Sequence, residues 1–201
     1  MRTFRYGDEE REHLRRRDPV LGAAIDRIGT IERAVIPDLF AALVHSIVGQ
    51  QVSSRAAASI WARLQESLGA VTPQSVAAAS VEELRRCGLS ARKAEYVRGA
   101  AETVLRGELD LPGLHDLPDR EVIERLSSLR GVGTWTAEML LIFSMERPDV
   151  VSWSDLAIRR GMRVLYGLEA LDREQFERYR AQYSPHGSVA SLYLWAVSHG
   201  R

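Results

Sequence analysis

Apolar residues recur at helical spacing along most of the chain, and no stretch alternates convincingly like a β-strand. The first clear helix is predicted over 37–51, where PDLFAALVHSIVGQQ has proline in its first turn. Serine, threonine and aspartate at helix starts, and glycine at helix ends, set the bounds of the others. Further helices are predicted from Ser53 or Ser54 to Leu68, from Thr72-Pro73, from Ser80, from Ser90 to Gly107, and near 119–129, 134–145, 155–166, 172–183 and 188–198.

About ten helices joined by short links, without a sheet, predict an all-α protein. The segment 108–118 is punctuated by proline and glycine and is predicted to be a loop. A chain of 201 residues is long enough for one domain or two small ones.

Composition excludes several classes of function. The formal net charge is zero, which is unlike a protein that coats DNA non-specifically. Cys87 is the only cysteine, so an internal disulfide, a cysteine-held zinc site and an iron–sulfur cluster are not expected. The apolar runs are too short to cross a bilayer and the N-terminus is charged. We therefore expect a cytoplasmic protein, associated with the nucleoid if it binds DNA.

The segment LRGVGTWTA, 129–137, is the first candidate for chemistry. Two helices joined so closely need a tight turn, and Gly131 and Gly133 are both expected to supply positive φ. The N–H groups at the start of the second helix form a natural anion site, and Val132 is expected to anchor the turn. A glycine-rich turn without a ligand is the alternative that the residues alone leave open.

Asp155 is the second candidate, at the predicted start of a helix. A carboxylate there can simply cap N–H groups and complement the helix dipole, which contributes about 0.5–2 kcal/mol. The residue type alone therefore favours a structural role.

Three motifs in order change this interpretation: HSIVGQQVSSRAAA at 45–58, LRGVGTWTA, and DLAIRR at 155–160. Together they resemble the helix-hairpin-helix DNA glycosylase superfamily. The tryptophan variant of the hairpin is similar to the bacterial 3-methyladenine DNA glycosylase II branch, here in a compact form. Arg130 stands where the family usually has proline, and Ser154 where relatives often have an acidic residue or proline.

The resemblance implies an architecture of two helical lobes, 40–143 and 1–39 with 144–201, with a DNA cleft between them. It makes Asp155 the catalytic carboxylate, which stabilises the positive sugar as the base leaves and positions water. It also implies a Na⁺ or K⁺ ion held by the carbonyls of Ser127, Leu129 and Val132. The hairpin residues expected to grip one DNA backbone are Arg130, Gly131, Val132, Gly133, Thr134 and Thr136.

The same resemblance assigns the base pocket and the remaining DNA contacts. Trp135 and Trp195 would face the flipped base, and Met139 falls where tyrosine is common. A tryptophan face favours a cationic alkylated purine by roughly 0.5–2 kcal/mol, although core packing is the alternative for both tryptophans. Gln51 would fill the gap left by the flipped base. Further candidates for contact with the DNA backbone are Ser53, Ser54, Arg55, Ser90, Arg92 and Lys93.

Bifunctional members of this superfamily carry a nucleophilic lysine two residues beyond the second hairpin glycine, where this chain has Trp135. Lys93 is the only lysine and lies in an earlier helix. The prediction is a monofunctional enzyme without cofactor that acts, as a monomer, on damaged bases in double-stranded DNA. Two alternatives remain: a related glycosylase for deaminated or oxidised bases, and a non-enzymatic helix-hairpin-helix module.

Overall fold

The computed structural model describes residues 2–200. Within that range the chain forms helices and no β-strand beyond an isolated antiparallel bridge between Thr3 and Ala34. The prediction of an all-α fold is confirmed. The helices are α1 (Asp8–Arg17), α2 (Pro19–Ile28), α3 (Leu39–Gly49), α4 (Ser54–Leu68), α5 (Pro73–Ala78), α6 (Val81–Arg86), α7 (Ala91–Leu105), α8 (Asp119–Ser127), α9 (Thr134–Phe143), α10 (Leu156–Tyr166), α11 (Arg173–Tyr183) and α12 (Gly187–Ser198).

Side-chain caps explain most helix starts. Ser53, Thr72, Ser80 and Ser90 each accept a hydrogen bond from the third backbone N–H of the helix that follows, as their positions in the sequence predict. The segment predicted as a loop at 108–118 contains a short 3-10 helix, Pro112–Asp116.

Two helices near the N-terminus were not among those predicted. The carboxylate of Glu10 accepts a hydrogen bond from the N–H of Gly7 at 2.7 Å, which closes the first turn of α1. Asp18 caps α2 and is followed by Pro19 at the first helical position, which is a strong start signal. The charged composition of α1 hid its helical character, whereas α2 is mostly apolar and carried a start signal that was overlooked.

The chain divides into two compact units. The middle unit is Ile36–Leu140, and the terminal unit combines the chain up to Val35 with the chain from Leu141 onward. In the middle unit, α3 is buried along most of its length and packs against α4 and α7. Among the described residues, no helix combines the length and apolar character that a bilayer span requires.

The terminal unit is built around α12, whose residues are almost all buried and which packs against α1, α2, α10 and α11. A buried network of polar side chains connects α2, α10 and α11 in the same unit. Asp18 caps α2 with one carboxylate oxygen and accepts the hydroxyl of Tyr166 on the other. The Tyr166 hydroxyl also lies 2.6 Å from that of Tyr183, and burial raises the pKa of both phenols well above the ordinary range.

Candidate functional site

The hairpin between α8 and α9 is shaped by one glycine in particular. Gly131 has a φ of +86°, and a Cβ built there would lie 2.2 Å from Cδ2 of Tyr96. Only glycine satisfies both conditions without distortion. Gly133 was expected to have a positive φ as well, and this was wrong, because its φ is not positive. A Cβ at Gly133 would meet open space. The absence of a side chain at Gly133 leaves the backbone of the hairpin accessible to a ligand.

The hairpin also separates anchoring groups from groups available to a ligand. Val132 is buried and its N–H donates to the carbonyl of Leu129 at 3.1 Å, so it anchors the turn and its amide is already used. The first helical bond of α9 runs from the N–H of Ala137 to the carbonyl of Gly133. The N–H groups of Gly133 and Thr134 precede that bond and belong to exposed residues, which suits an anion.

Thr136 and Arg130 lie at opposite extremes of exposure. Thr136 is only 4% exposed, so its side chain packs inside the middle unit, and its contact with the DNA backbone stays a prediction. Arg130 is exposed at the hairpin itself.

The turn between α3 and α4, residues 50–53, carries the predicted wedge. Gln51 is exposed and has a φ of +55°, a left-handed conformation that is uncommon for a residue with a side chain. Such strain persists only where the surroundings enforce it, and it is frequent at functional sites. The turn therefore presents Gln51 to solvent in a fixed backbone conformation.

Two side chains hold the turn between α3 and α4 in place through hydrogen bonds. The Lys93 ammonium donates to the carbonyls of Val48 and Gln50, at 2.8 and 2.6 Å, and so satisfies the C-terminal end of α3. The Gln50 side-chain amide donates to the carbonyl of Gly131 at 2.9 Å. The wedge turn and the hairpin are therefore joined directly, within the middle unit.

Three predicted backbone contacts lie close to this turn. Ser53 uses its hydroxyl to cap α4, accepting from the N–H of Ala56 at 3.2 Å, and Ser54 is exposed at the first helical position. Lys93 was expected to face DNA, whereas two of its three N–H donors are engaged with carbonyls. Burial also lowers the pKa of Lys93 from its ordinary value. Its observed role is to hold the wedge turn.

Asp155 lies at the start of α10 and is almost completely buried, with 6% of its surface exposed. Oδ1 accepts hydrogen bonds from the N–H groups of Ala157 and Ile158, at 2.8 and 2.9 Å. Oδ2 accepts from the indole Nε1 of Trp195 on α12, at 3.2 Å. The cap that the sequence suggested is present, and the second carboxylate oxygen is bound by an aromatic side chain from another helix.

A second glycine explains how α10 and α12 come close enough for this contact. A Cβ at Gly161 would lie 2.1 Å from the carbonyl oxygen of Leu194, the residue before Trp195. The two helices therefore pack backbone against backbone at this point. The close approach sets the position of Asp155 relative to the indole.

Trp195 is half-buried and sits at the edge of an open recess. Its ring packs against Phe143, with centroids 5.5 Å apart, and the guanidinium of Arg33 lies 5.8 Å from the centroid of Phe143. Neither Phe143 nor Arg33 was singled out in the sequence, where they carry no recognisable motif. The recess has a volume of about 310 Å³ and is lined by Ile31, Arg33, Leu192, Trp195, Ala196 and His199.

The other two residues assigned to the base pocket belong to α9. Trp135 is 43% exposed, which is unusual for a tryptophan and suits a stacking surface. Met139, one turn further on, is buried. Both lie in the middle unit, whereas Trp195 and Asp155 lie in the terminal unit.

The carbonyls proposed to hold an alkali ion lie at the end of α8 and in the hairpin. The carbonyl of Leu129 accepts a hydrogen bond from the N–H of Val132 and keeps a second lone pair. Ser127 is the last residue of α8, and carbonyls at the end of a helix lack a hydrogen-bond partner from a following turn. The Ser127 hydroxyl is buried without a hydrogen-bond partner. These oxygens are the hard donors that such ions prefer.

Comparison with known proteins places these features in one family. A sequence model of the HhH-GPD superfamily of base excision DNA repair proteins matches residues 44–186. The chain belongs to the HhH-GPD superfamily. The matched stretch contains the wedge turn, the hairpin and Asp155, so the predicted family is confirmed; Trp195 lies beyond it.

Individual members of the HhH-GPD superfamily are similar over most of their length. DNA-3-methyladenine glycosylase 1 of Schizosaccharomyces pombe is 34% identical over 161 residues, covering 78% of this chain and 71% of the relative. A DNA-3-methyladenine glycosidase structure from Bacillus halodurans has a TM-score of 0.87 and 36% identity, covering 100% of this chain and 94% of that one. The S. pombe 3-methyladenine DNA glycosylase in complex with abasic DNA has a TM-score of 0.80 and 31% identity, covering 93% and 95%.

Proposed function

We propose that this protein is a monofunctional DNA glycosylase that flips alkylated purines out of duplex DNA and hydrolyses their N-glycosidic bond. The observation that carries the proposal is the buried carboxylate of Asp155, capped by two amides and bound by the indole of Trp195, in an HhH-GPD chain. Relatives named for 3-methyladenine support the substrate class.

The proposed role of Asp155 is electrostatic. As the base departs, the sugar acquires oxocarbenium character, and a fixed negative charge beside it lowers the energy of that state. The amides of Ala157 and Ile158 and the indole of Trp195 already orient the carboxylate, so little reorganisation is needed during the reaction. The same group can position the attacking water.

Water rather than lysine is proposed as the nucleophile. The position that holds the lyase lysine in bifunctional relatives is Trp135 in this chain, and the only lysine, Lys93, has its ammonium on the carbonyls of Val48 and Gln50. A Schiff base needs a free amine next to the sugar. The expected product is therefore an intact strand with an abasic site.

Preference for alkylated purines is proposed to come from aromatic stacking. Methylation at N3 or N7 makes the purine cationic, and the exposed face of Trp135 attracts a cation by roughly 0.5–2 kcal/mol. The charged base is also a good leaving group, so a general acid is unnecessary. Trp195 would contribute through its hydrogen bond to Asp155 as well as through its ring.

Binding of the DNA is proposed to combine the hairpin with the wedge turn. The N–H groups of Gly133 and Thr134 would bind a phosphate, and Gln51 would occupy the space vacated by the flipped base. The carbonyls of Ser127, Leu129 and Val132 would hold a Na⁺ or K⁺ ion, which would supply additional positive charge at the hairpin.

The test is product analysis on duplexes that each contain one defined base: 7-methylguanine, 3-methyladenine, hypoxanthine, uracil or 8-oxoguanine. We expect free methylated base, detected by mass spectrometry, and strand breaks only after alkali treatment. Release confined to hypoxanthine, uracil or 8-oxoguanine would assign a different substrate class. DNA binding without release of any base under single-turnover conditions would establish a non-enzymatic module.

A further inference from the structure

Two arginines from separate elements meet at one aromatic ring. Arg92 lies in the first turn of α7 and Arg130 in the hairpin, 38 positions further along the chain. Their guanidinium carbons lie 5.8 and 6.0 Å from the centroid of Tyr96. The two cations can therefore be no farther apart than these two distances added together.

Neither arginine is neutralised by the protein. Both are exposed, and among the described residues no carboxylate lies within 4.0 Å of either guanidinium. Elsewhere on α7, Arg98 pairs with Glu102, at 3.0 Å. Uncompensated arginines in cation–π contact with a ring keep their hydrogen-bond donors for a ligand.

The ring beneath them is tied to the hairpin backbone. Gly131 approaches Tyr96 so closely that no side chain could be accommodated there. The amides of Gly133 and Thr134 follow within three residues. The two arginines thus belong to the surface that offers the hairpin amides.

A groove of about 400 Å³ lies beside the arginines, and Arg130 belongs to its lining. Two of its carboxylates are already paired within the protein: Glu102 with Arg98 at 3.0 Å, and Glu108 with Arg106 at 2.6 Å. These ion pairs leave the groove with little net negative charge to compete with a phosphate for the arginines.

We propose that Arg92 and Arg130, ordered on Tyr96, bind neighbouring phosphates of one DNA strand next to the hairpin amides. The proposal rests on the proposed function, since its ligand is duplex DNA. Neighbouring phosphates of one strand advance by about 3.4 Å along the helix axis, so two cations held over one ring are close enough to bind adjacent phosphates. Arginine binds phosphate through two parallel N–H donors, which suits a sequence-independent contact. Arg130 thereby replaces the hairpin proline usual in the family with a charge.

The test is the salt dependence of binding to a duplex containing a tetrahydrofuran abasic-site analogue. The variants are Arg92→Gln, Arg130→Gln and the double variant. We expect the slope of log Kd against log salt concentration to fall by about one for each arginine removed. At about 0.1 M salt, each variant should bind roughly five- to tenfold more weakly. The control is Arg120→Gln on α8, whose side chain is 90% exposed and paired with Glu124.

The conservative double variant Arg92→Lys/Arg130→Lys separates charge from packing, because it should retain the wild-type slope. A wild-type slope in the glutamine double variant, with normal thermal unfolding, would overturn the proposal, as would loss of slope in the lysine variant. Base release is scored in parallel. Reduced slopes without base release would support the phosphate site and refute the proposed function. Base release with unchanged slopes would support the proposed function and refute the phosphate site.

Discussion

The indole Nε1 of Trp195 donates a hydrogen bond to Oδ2 of Asp155 at 3.2 Å, although the residues are 40 positions apart. Oδ1 is held by the amides of α10, so both oxygens of the carboxylate are oriented by the fold. Gly161 makes the contact possible by letting α10 pack directly on α12. The aromatic residue is therefore a positioning residue for the carboxylate as well as a candidate wall for the base.

Trp195→Phe should slow base release by about ten- to a hundredfold, because it keeps an aromatic ring and removes the N–H donor. A hydrogen bond to a charged group contributes about 1.5–3 kcal/mol, which exceeds one factor of ten in rate. The measurement is the single-turnover rate constant at saturating enzyme. Trp61→Phe in the middle unit is the matched control and should leave the rate unchanged. Equal rates for wild type and Trp195→Phe would contradict the positioning role.

Gln51→Ala should reduce excision from duplex DNA by about tenfold, because the side chain no longer prevents the flipped base from returning to the stack. The defect should largely disappear when the lesion lies opposite an abasic site, where little stacking has to be broken. Gln65→Ala on the exposed face of α4 is the control. A defect of the same size in both contexts would rule out a wedge.

Gly131→Ala and Gly133→Ala should fail in different ways. At Gly131 the added methyl meets Tyr96 in a left-handed backbone conformation, so we expect a loss of about 1–2 kcal/mol or more in the free energy of unfolding. At Gly133 the methyl meets open space, so stability should be unchanged while DNA affinity falls. Urea unfolding and fluorescence anisotropy measure the two quantities. Unchanged affinity of Gly133→Ala would argue against an anion site at the hairpin amides.

His45 should make stability depend on pH. Burial lowers its pKa from the ordinary value of 6.5, and its ring lies edge-on to Trp61 at 5.0 Å. As pH falls through 6.5 the unfolded chain takes up the proton first, so the free energy of unfolding decreases until the folded pKa is passed. His45→Gln should therefore lose less stability than wild type between about pH 7 and about pH 5. The exposed His199→Gln is the control and should behave like wild type.

Helix bounds and the family could be predicted from the sequence because their signals are local. Capping side chains at Ser53, Thr72, Ser80 and Ser90 mark helix starts within three or four residues. The hairpin glycines, the wedge motif and the aspartate occur in a characteristic order. These signals were sufficient for the all-α fold and for membership of the HhH-GPD superfamily.

Contacts that join distant segments could not be predicted in this way. The hydrogen bond from Gln50 to Gly131 spans 81 positions, and the ammonium of Lys93 reaches back 45 positions to Val48. The burial of Thr136 and the ordinary φ of Gly133 depend on how α9 packs, which the glycine spacing does not specify. Sequence patterns therefore indicated which residues are candidates for chemistry, whereas the contacts that hold each of them in place became visible only in the fold.

Asp155→Asn tests the central claim most directly, because asparagine preserves the helix cap and removes the charge. The measurement is single-turnover release of 7-methylguanine, compared with Asp172→Asn, the same change at the exposed cap of α11. We predict that Asp155→Asn lowers the rate by about 10²–10⁴-fold while the affinity for duplex DNA is retained, and that Asp172→Asn behaves like wild type. Base release by Asp155→Asn at the wild-type rate would contradict the account.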